Sequence, residues 1–174
     1  MTVHEPSLGN YFEDFTVGDV YQHPLGRTIN ETDNTWFTLL TLNTNQYHFN
    51  NHFSKNHPIT NGRIIVNSGF TIGLILGMTV SDISHHAIVN LELTDIKLTH
   101  PVFVGDTLYA ESIVLAKRES ASRPYAGIVT VKTRGLNQDG DVVVSWTRSV
   151  MVYKESARET NRYFPQAKTG PLEI

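Results

Sequence analysis

Between two apolar stretches the chain reads Thr41-Leu42-Asn43-Thr44-Asn45-Gln46-Tyr47-His48-Phe49-Asn50-Asn51-His52-Phe53, dense in amides and imidazoles and free of Asp, Glu, Lys and Arg. An amide orients water without taking its proton, whereas an imidazole exchanges one near neutral pH. His48 is thus the good titratable group of the segment and suits general acid–base work. A plainer reading stands beside it, since Asn side chains commonly satisfy loop backbone groups. His48 and His52 stand four apart, as zinc ligands on one helix face would. They lack the Glu of H-E-x-x-H, and the chain has no Cys, so no metal is expected. No G-x-S-x-G elbow supports a serine hydrolase.

Two helices are expected to hold this loop. Asn30 is a good N-cap with Asp33 three residues on, predicting a short helix over 31–40 that turns Trp36, Phe37, Leu39 and Leu40 inward. From 63 to about 81 the chain is apolar almost all round, as a buried helix would be. Gly69, Gly73 and Gly77 share one stripe of it, and close approach of the helix to a sheet would explain them.

The second half reads as strands. Segments 88–98, 107–117, 125–137 and 142–153 are rich in Val, Ile, Thr and Tyr and are separated by Pro and Gly signals. Asp139-Gly140 predicts a two-residue hairpin that makes the last two strands antiparallel neighbours. Val142, Val144, Trp146, Val150 and Val152 share one face. In the first strand the apolar parity slips between Leu93 and Ile96, predicting a β-bulge near Thr94-Asp95. A buried helix followed by four antiparallel strands implies an α+β layer structure, a sheet curled around one central helix. The exposed edge of such a sheet points to pairing with a second copy, hence a homodimer.

Composition bounds the rest. The chain has 174 residues, 40% hydrophobic and 18% charged, with a net charge of -3. That is one ordinary globular domain, with no basic field for nucleic acid. Without Cys there is neither a thiolate nucleophile nor a disulfide framework. The N-terminus shows no basic-then-apolar leader, and the apolar run 64–80 is interrupted by Asn67, Ser68, Thr71 and Thr79. A cytoplasmic protein with no membrane partner is therefore expected.

The run Asn43-Thr44-Asn45-Gln46-Tyr47-His48 resembles the Asp-x-Asn-Pro-x-His signature of the MaoC-like, (R)-specific enoyl-CoA hydratase family. His48 matches the family His and Asn45 its middle Asn, while Asn43 stands where the family has a catalytic Asp and Gln46 where it has Pro. Gly18-Asp19, Asn61-Gly62 and Pro101-Val102-Phe103-Val104-Gly105-Asp106-Thr107-Leu108 extend the likeness over about residues 10–154. Gly26-Arg27-Thr28, 33–38, 117–120 and Ser122-Arg123-Pro124 are similar to the itaconyl-CoA and mesaconyl-CoA hydratase branch, which also carries Asn at the Asp position.

The resemblance implies a single hot-dog domain over 10–154, between an extension at 1–9 and a tail at 155–174. It implies reversible addition of water to a branched C5 dicarboxylic enoyl-CoA thioester. Coenzyme A belongs to the substrate, and no separate cofactor is implied. Such an addition needs a base, a proton for Cα and donors for the developing enolate oxygen. His48 is then the base, Asn43 orients the water, and the Gly62 N–H, at the expected start of the buried helix, receives the enolate oxygen. Asn45 carries over as a substrate contact. Arg63 could bind the second carboxylate of the acyl chain, or instead a CoA phosphate or solvent. Arg118 and Arg123 could reach CoA phosphates or form a solvated turn. Asn43 in place of Asp would spare that carboxylate a repulsive neighbour. A hot-dog thioesterase and a non-catalytic acyl-CoA binder are the alternatives. The first usually needs a carboxylate near the helix start, and none stands between Asn43 and Arg63; the second has no need of an imidazole at His48.

Overall fold

The computed structural model describes residues 9–161, 165 and 167–170. Its strands are β1 (Val20–Gln22), β2 (Arg27–Thr28), β3 (Ala87–Leu98), β4 (Thr107–Glu119), β5 (Ala126–Leu136) and β6 (Val142–Tyr153). Its helices are α1 (Glu31–Leu40), α2 (Asn51–Lys55) and α3 (Ser68–Met78). The strands form an antiparallel sheet in the order β1-β4-β5-β6-β3, with β2 on β4. The 1–8 part of the expected extension and most of the stretch 163–174 lie outside the described residues.

Period-2 patterning gives the four long strands within two residues of expectation. The β3–β6 register shifts between Thr94 and Lys97, where Asp95 has φ 53°, so the parity slip is a bulge. The β5–β6 turn is one residue longer than expected. The Asn137 N–H bonds the Asp141 carbonyl (3.0 Å) around a three-residue loop that ends in Gly140 at φ 85°. A left-handed glycine is what that loop class requires.

The apolar run 63–81 divides. Residues 64–66 are extended beside 102–104: Val66 N–H donates to the Val102 carbonyl (2.8 Å) and Val104 N–H to that of Ile64 (3.0 Å). Helix α3 begins only at Ser68, after Asn67 accepts the Gly69 N–H (2.9 Å) as N-cap. The sheet curls around this helix. Ile75 is fully buried against Val66, Val102, Leu108, Val144 and Trp146, while Ile83 continues the core among Phe15, Val129 and Val150. The glycine stripe is not where helix and sheet meet. A Cβ on Gly73 or Gly77 would touch nothing within 4 Å, and the close approach occurs at Gly135 of β5, where Ile75 fills the missing side chain's place.

Helix α1 has its expected bounds and its capping box, Asp33 N–H to Asn30 Oδ1 (2.9 Å) and Asn30 N–H to Asp33 Oδ2 (3.1 Å). Its inward face differs from expectation. Trp36 and Leu40 are 68% and 76% exposed, Leu39 is exposed too, and the buried positions are Asn34 and Thr38. Partners explain this: each buried polar atom finds one in the neighbouring loop, as described next.

Candidate active site

Asn34 holds three segments together. Its Nδ2 donates to the carbonyls of His48 (2.7 Å) and Ile65 (3.3 Å), and its Oδ1 accepts the Asn67 N–H (2.8 Å). Asn67 Nδ2 reaches Thr38 Oγ1 (3.3 Å), returning the network to α1. The start of α3, the extended strip and the polar loop are thereby fixed to one helix by neutral amides.

Within the loop, Leu42 at φ 57° reverses the chain and the Asn43 N–H donates to the Thr38 carbonyl (3.0 Å). Asn43 Oδ1 accepts the Asn45 N–H (2.9 Å), and Asn45 Oδ1 accepts the Tyr47 N–H (3.2 Å), capping the turn Gln46–His48. Both amides thus serve the backbone, leaving the Asn43 Nδ2 as a donor for other groups. Tyr47 is braced by His57 through its hydroxyl (2.9 Å) and by its carbonyl, which accepts the Ile65 N–H (3.1 Å).

His48 is half-buried and its Nδ1 lies 2.9 Å from the Ile65 carbonyl. A carbonyl only accepts, so Nδ1 is the donor, and in the neutral ring this leaves Nε2 as the nitrogen with the free lone pair. A cleft of about 310 Å³ opens beside this anchor, lined among others by Ile65, Val66, Ser68, Thr71, His100 and Val102. His100 donates Nδ1–H to the Val142 carbonyl (2.9 Å), so a second fixed imidazole borders the cleft.

Gly62 lies elsewhere than expected. It occupies a left-handed turn with Asn61 (φ 77° and 48°), ahead of the extended strip, so the field of α3 does not act on its N–H. Arg63 is engaged: its Nη2 is 2.7 Å from Asp106 Oδ1 and its guanidinium sits 4.4 Å from the Phe103 ring centroid. Asp106 also accepts the Phe103 N–H (2.8 Å), so the buried carboxylate is spoken for. Arg118 and Arg123 stand at the other end of β4, roughly 36 Å of strand from Thr107. In this chain they are not brought together with His48. Among the described residues no group of His, Asp or Glu could hold a metal ion, and no helix is long and apolar enough to cross a membrane.

Sequence reasoning passed over Asn34, Thr38, Asn67 and His100, which look like ordinary helix and loop residues until their partners are seen. It also passed over Arg148, although the alternation that aligns Val144, Trp146 and Val150 places Arg148 on the same face.

A curled antiparallel sheet around one helix, with an imidazole fixed in the preceding loop, defines a MaoC-like hot-dog domain. The same fold occurs in a MaoC domain protein dehydratase from Chloroflexus aurantiacus, at TM-score 0.74 and 31% identity, covering 98% of this chain and 47% of that one. A Mycobacterium tuberculosis protein described as a double hotdog shares the fold at TM-score 0.75 and 18% identity, covering 94% and 48%. The family model described as mesaconyl-CoA hydratase matches residues 3–167, and the chain belongs to that family. A mesaconyl-CoA hydratase of Cereibacter sphaeroides is 35% identical over 148 residues, 85% of this chain and 42% of the relative. The chain thus spans less than half the length of each of these three proteins.

Proposed function

We propose that this chain hydrates, and in reverse dehydrates, an enoyl-CoA thioester whose acyl chain is a branched C5 dicarboxylate of the mesaconyl or itaconyl type. The observation that carries the reading is His48, whose Nδ1 is tied to the carbonyl of Ile65, a residue that lines the cleft, so that the ring is held with Nε2 free of that bond. In the forward direction Nε2 takes a proton from water, the hydroxide oxygen bonds Cβ, the electron pair moves to the thioester oxygen, and a proton returns to Cα. Asn43 Nδ2 orients the water. The Gly62 N–H, freed for close approach by its left-handed turn, receives the enolate oxygen without help from a helix. A thioesterase is disfavoured because the nearby carboxylate, Asp106, is already held by Arg63 and the Phe103 N–H.

A second hot-dog unit completes the assembly in this reading, a second copy being the simplest source. The family's longer members and the exposed Val89, Leu91, Ile96 and Leu98 on the edge strand β3 support it. The test is the change in enoyl-thioester absorbance with mesaconyl-CoA, itaconyl-CoA and crotonyl-CoA, with His48→Ala in parallel. Turnover of a dicarboxylic ester that vanishes in the variant is expected. Release of free thiol, or binding without turnover, would replace the reading with a thioesterase or a binder.

A further inference from the structure

We propose that Arg148 and Trp146 on β6 form the receptor for the distal carboxylate of the acyl chain. Among the described residues the buried side-chain nitrogens and oxygens without a hydrogen-bond partner are three, Trp146 Nε1, Arg148 Nε and Arg148 Nη2. All three are N–H donors, and they belong to two residues of 1% exposure that stand next but one on a single face of one strand. Nε and Nη2 are the two nitrogens of one guanidinium edge, the fork that grips both oxygens of a carboxylate. The indole N–H adds a third donor from the adjacent position.

A water molecule could satisfy the indole but would leave the guanidinium charge uncompensated, which is the costly state for a buried cation. Among the described residues no carboxylate forms an ion pair with Arg148. Arg148 faces Val131 and Leu93 on the flanking strands, and the ion pairs of the described residues are made elsewhere. The carboxylate of Asp82 is committed to His23 (2.7 Å), which continues through Ser112 to Thr133. Arg63, the residue the sequence offers for this task, is held by Asp106 at the surface.

The place suits a chain that begins at His48. Trp146 packs in the same apolar cluster as Val66 and Val102, which line the cleft, and Arg148 follows two residues on along the same face of β6. A small-molecule site usually joins apolar walls to a few placed donors, and the cluster around Trp146 with the three free N–H groups offers both.

This inference rests on the reading of the chain as an acyl-CoA enzyme, and its test uses saturated esters that cannot react. Binding of succinyl-CoA and butyryl-CoA, equal in chain length and different in the terminal carboxylate, is measured by calorimetry on the wild type, Arg148→Met, Arg148→Lys and Trp146→Phe. The wild type should prefer succinyl-CoA by on the order of 100-fold. That ratio should fall to about one in Arg148→Met, return in part in Arg148→Lys, and drop a few-fold in Trp146→Phe. Thermal melts verify folding of each variant. A wild type that binds neither ester or shows no preference, or an Arg148→Met that keeps the preference, overturns the proposal. A preference that Arg148→Met abolishes, in a protein that hydrates no enoyl ester, sustains the receptor while the hydratase reading falls.

Discussion

The sheet and the polar clamp are held by different means. Across β3–β6 most inward residues are apolar, Val129, Val131, Val144 and Val150 among them, and another apolar side chain of similar volume would serve. Around Asn34 the partners are directional: one amide holds the His48 carbonyl, the Ile65 carbonyl and the Asn67 N–H at once. Apolar packing sets where the layers lie, and hydrogen bonds set where a reacting nitrogen points. In the proposed function the chemistry sits in the clamp, with its stability borrowed from the sheet.

The largest expected effect falls in the clamp. His48→Ala should lower kcat by on the order of 1,000-fold without shifting Tm, since the imidazole bonds only one carbonyl. Next comes a matched pair. Asn34→Ala leaves buried partners unsatisfied and should cost about 3 kcal/mol, while Val129→Ala should cost about 2 kcal/mol through the cavity it opens. At a temperature where both variants are folded, kcat should drop at least ~10-fold in Asn34→Ala and change less than about 2-fold in Val129→Ala. Equal losses of kcat would break the contrast between the two regions.

The same contrast governs what could be read from the amino acids alone. Alternation delivers the four strands and the bulge at Asp95, because each residue's face is decided locally. It fails over 63–81, where strand and helix are equally apolar and the boundary is drawn by Val66 pairing with Val102 and by the Asn67 cap. In α1 the aromatic and aliphatic residues mislead, because Asn34 and Thr38 win the interior through partners distant in sequence. His48 stands out by type, whereas what fixes its tautomer, the Ile65 carbonyl, carries no side-chain signature. Arg148 was legible from parity, though its lack of partners required the fold.

Arg148 is the place where the sheet departs from its own rule. Burial pushes its guanidinium down to about 10, so the charge is carried at a cost of about 3 kcal/mol at neutral pH. The folded value lies below the unfolded one, so the penalty is present in full below about pH 10 and is relieved as the pH rises above it. Without ligand, Arg148→Met should melt higher than the wild type at pH 8, with the gap narrowing above pH 10. A smaller effect belongs to Asn43→Asp. An aspartate can keep the bond to the Asn45 N–H, so the loop survives, but like charge should reduce turnover of a dicarboxylic ester ~10-fold while crotonyl-CoA turnover improves. Loss of both activities would sink the idea that Asn43 accommodates a second carboxylate.

The smallest effect separates the two regions by acid. On the outer face of the sheet Glu111 accepts a bond from Arg134 Nε (2.6 Å) and another from Gln22 Nε2 (3.3 Å), and the Arg134 hydrogen bond holds its carboxyl below the usual 4.5. The folded value is depressed, so the stabilisation is complete above the ordinary glutamate range and is lost as the pH falls through the folded value. Its size should stay within about 1 kcal/mol, as for other surface pairs. The Asn34, Thr38 and Asn67 side chains are neutral amides and a hydroxyl and should be indifferent to the state of Glu111. Hydrogen exchange followed from about pH 6 to about pH 3 should therefore show a larger acid-induced rise in opening at β1, β4 and β5 in the wild type than in Glu111→Gln, with amide protection at Asn67 alike in the two proteins at each pH. Equal acid sensitivity at Asn67 would mean that the clamp is electrostatically tied to the sheet, and the division between a charged, packed scaffold and a neutral, directional site would fail.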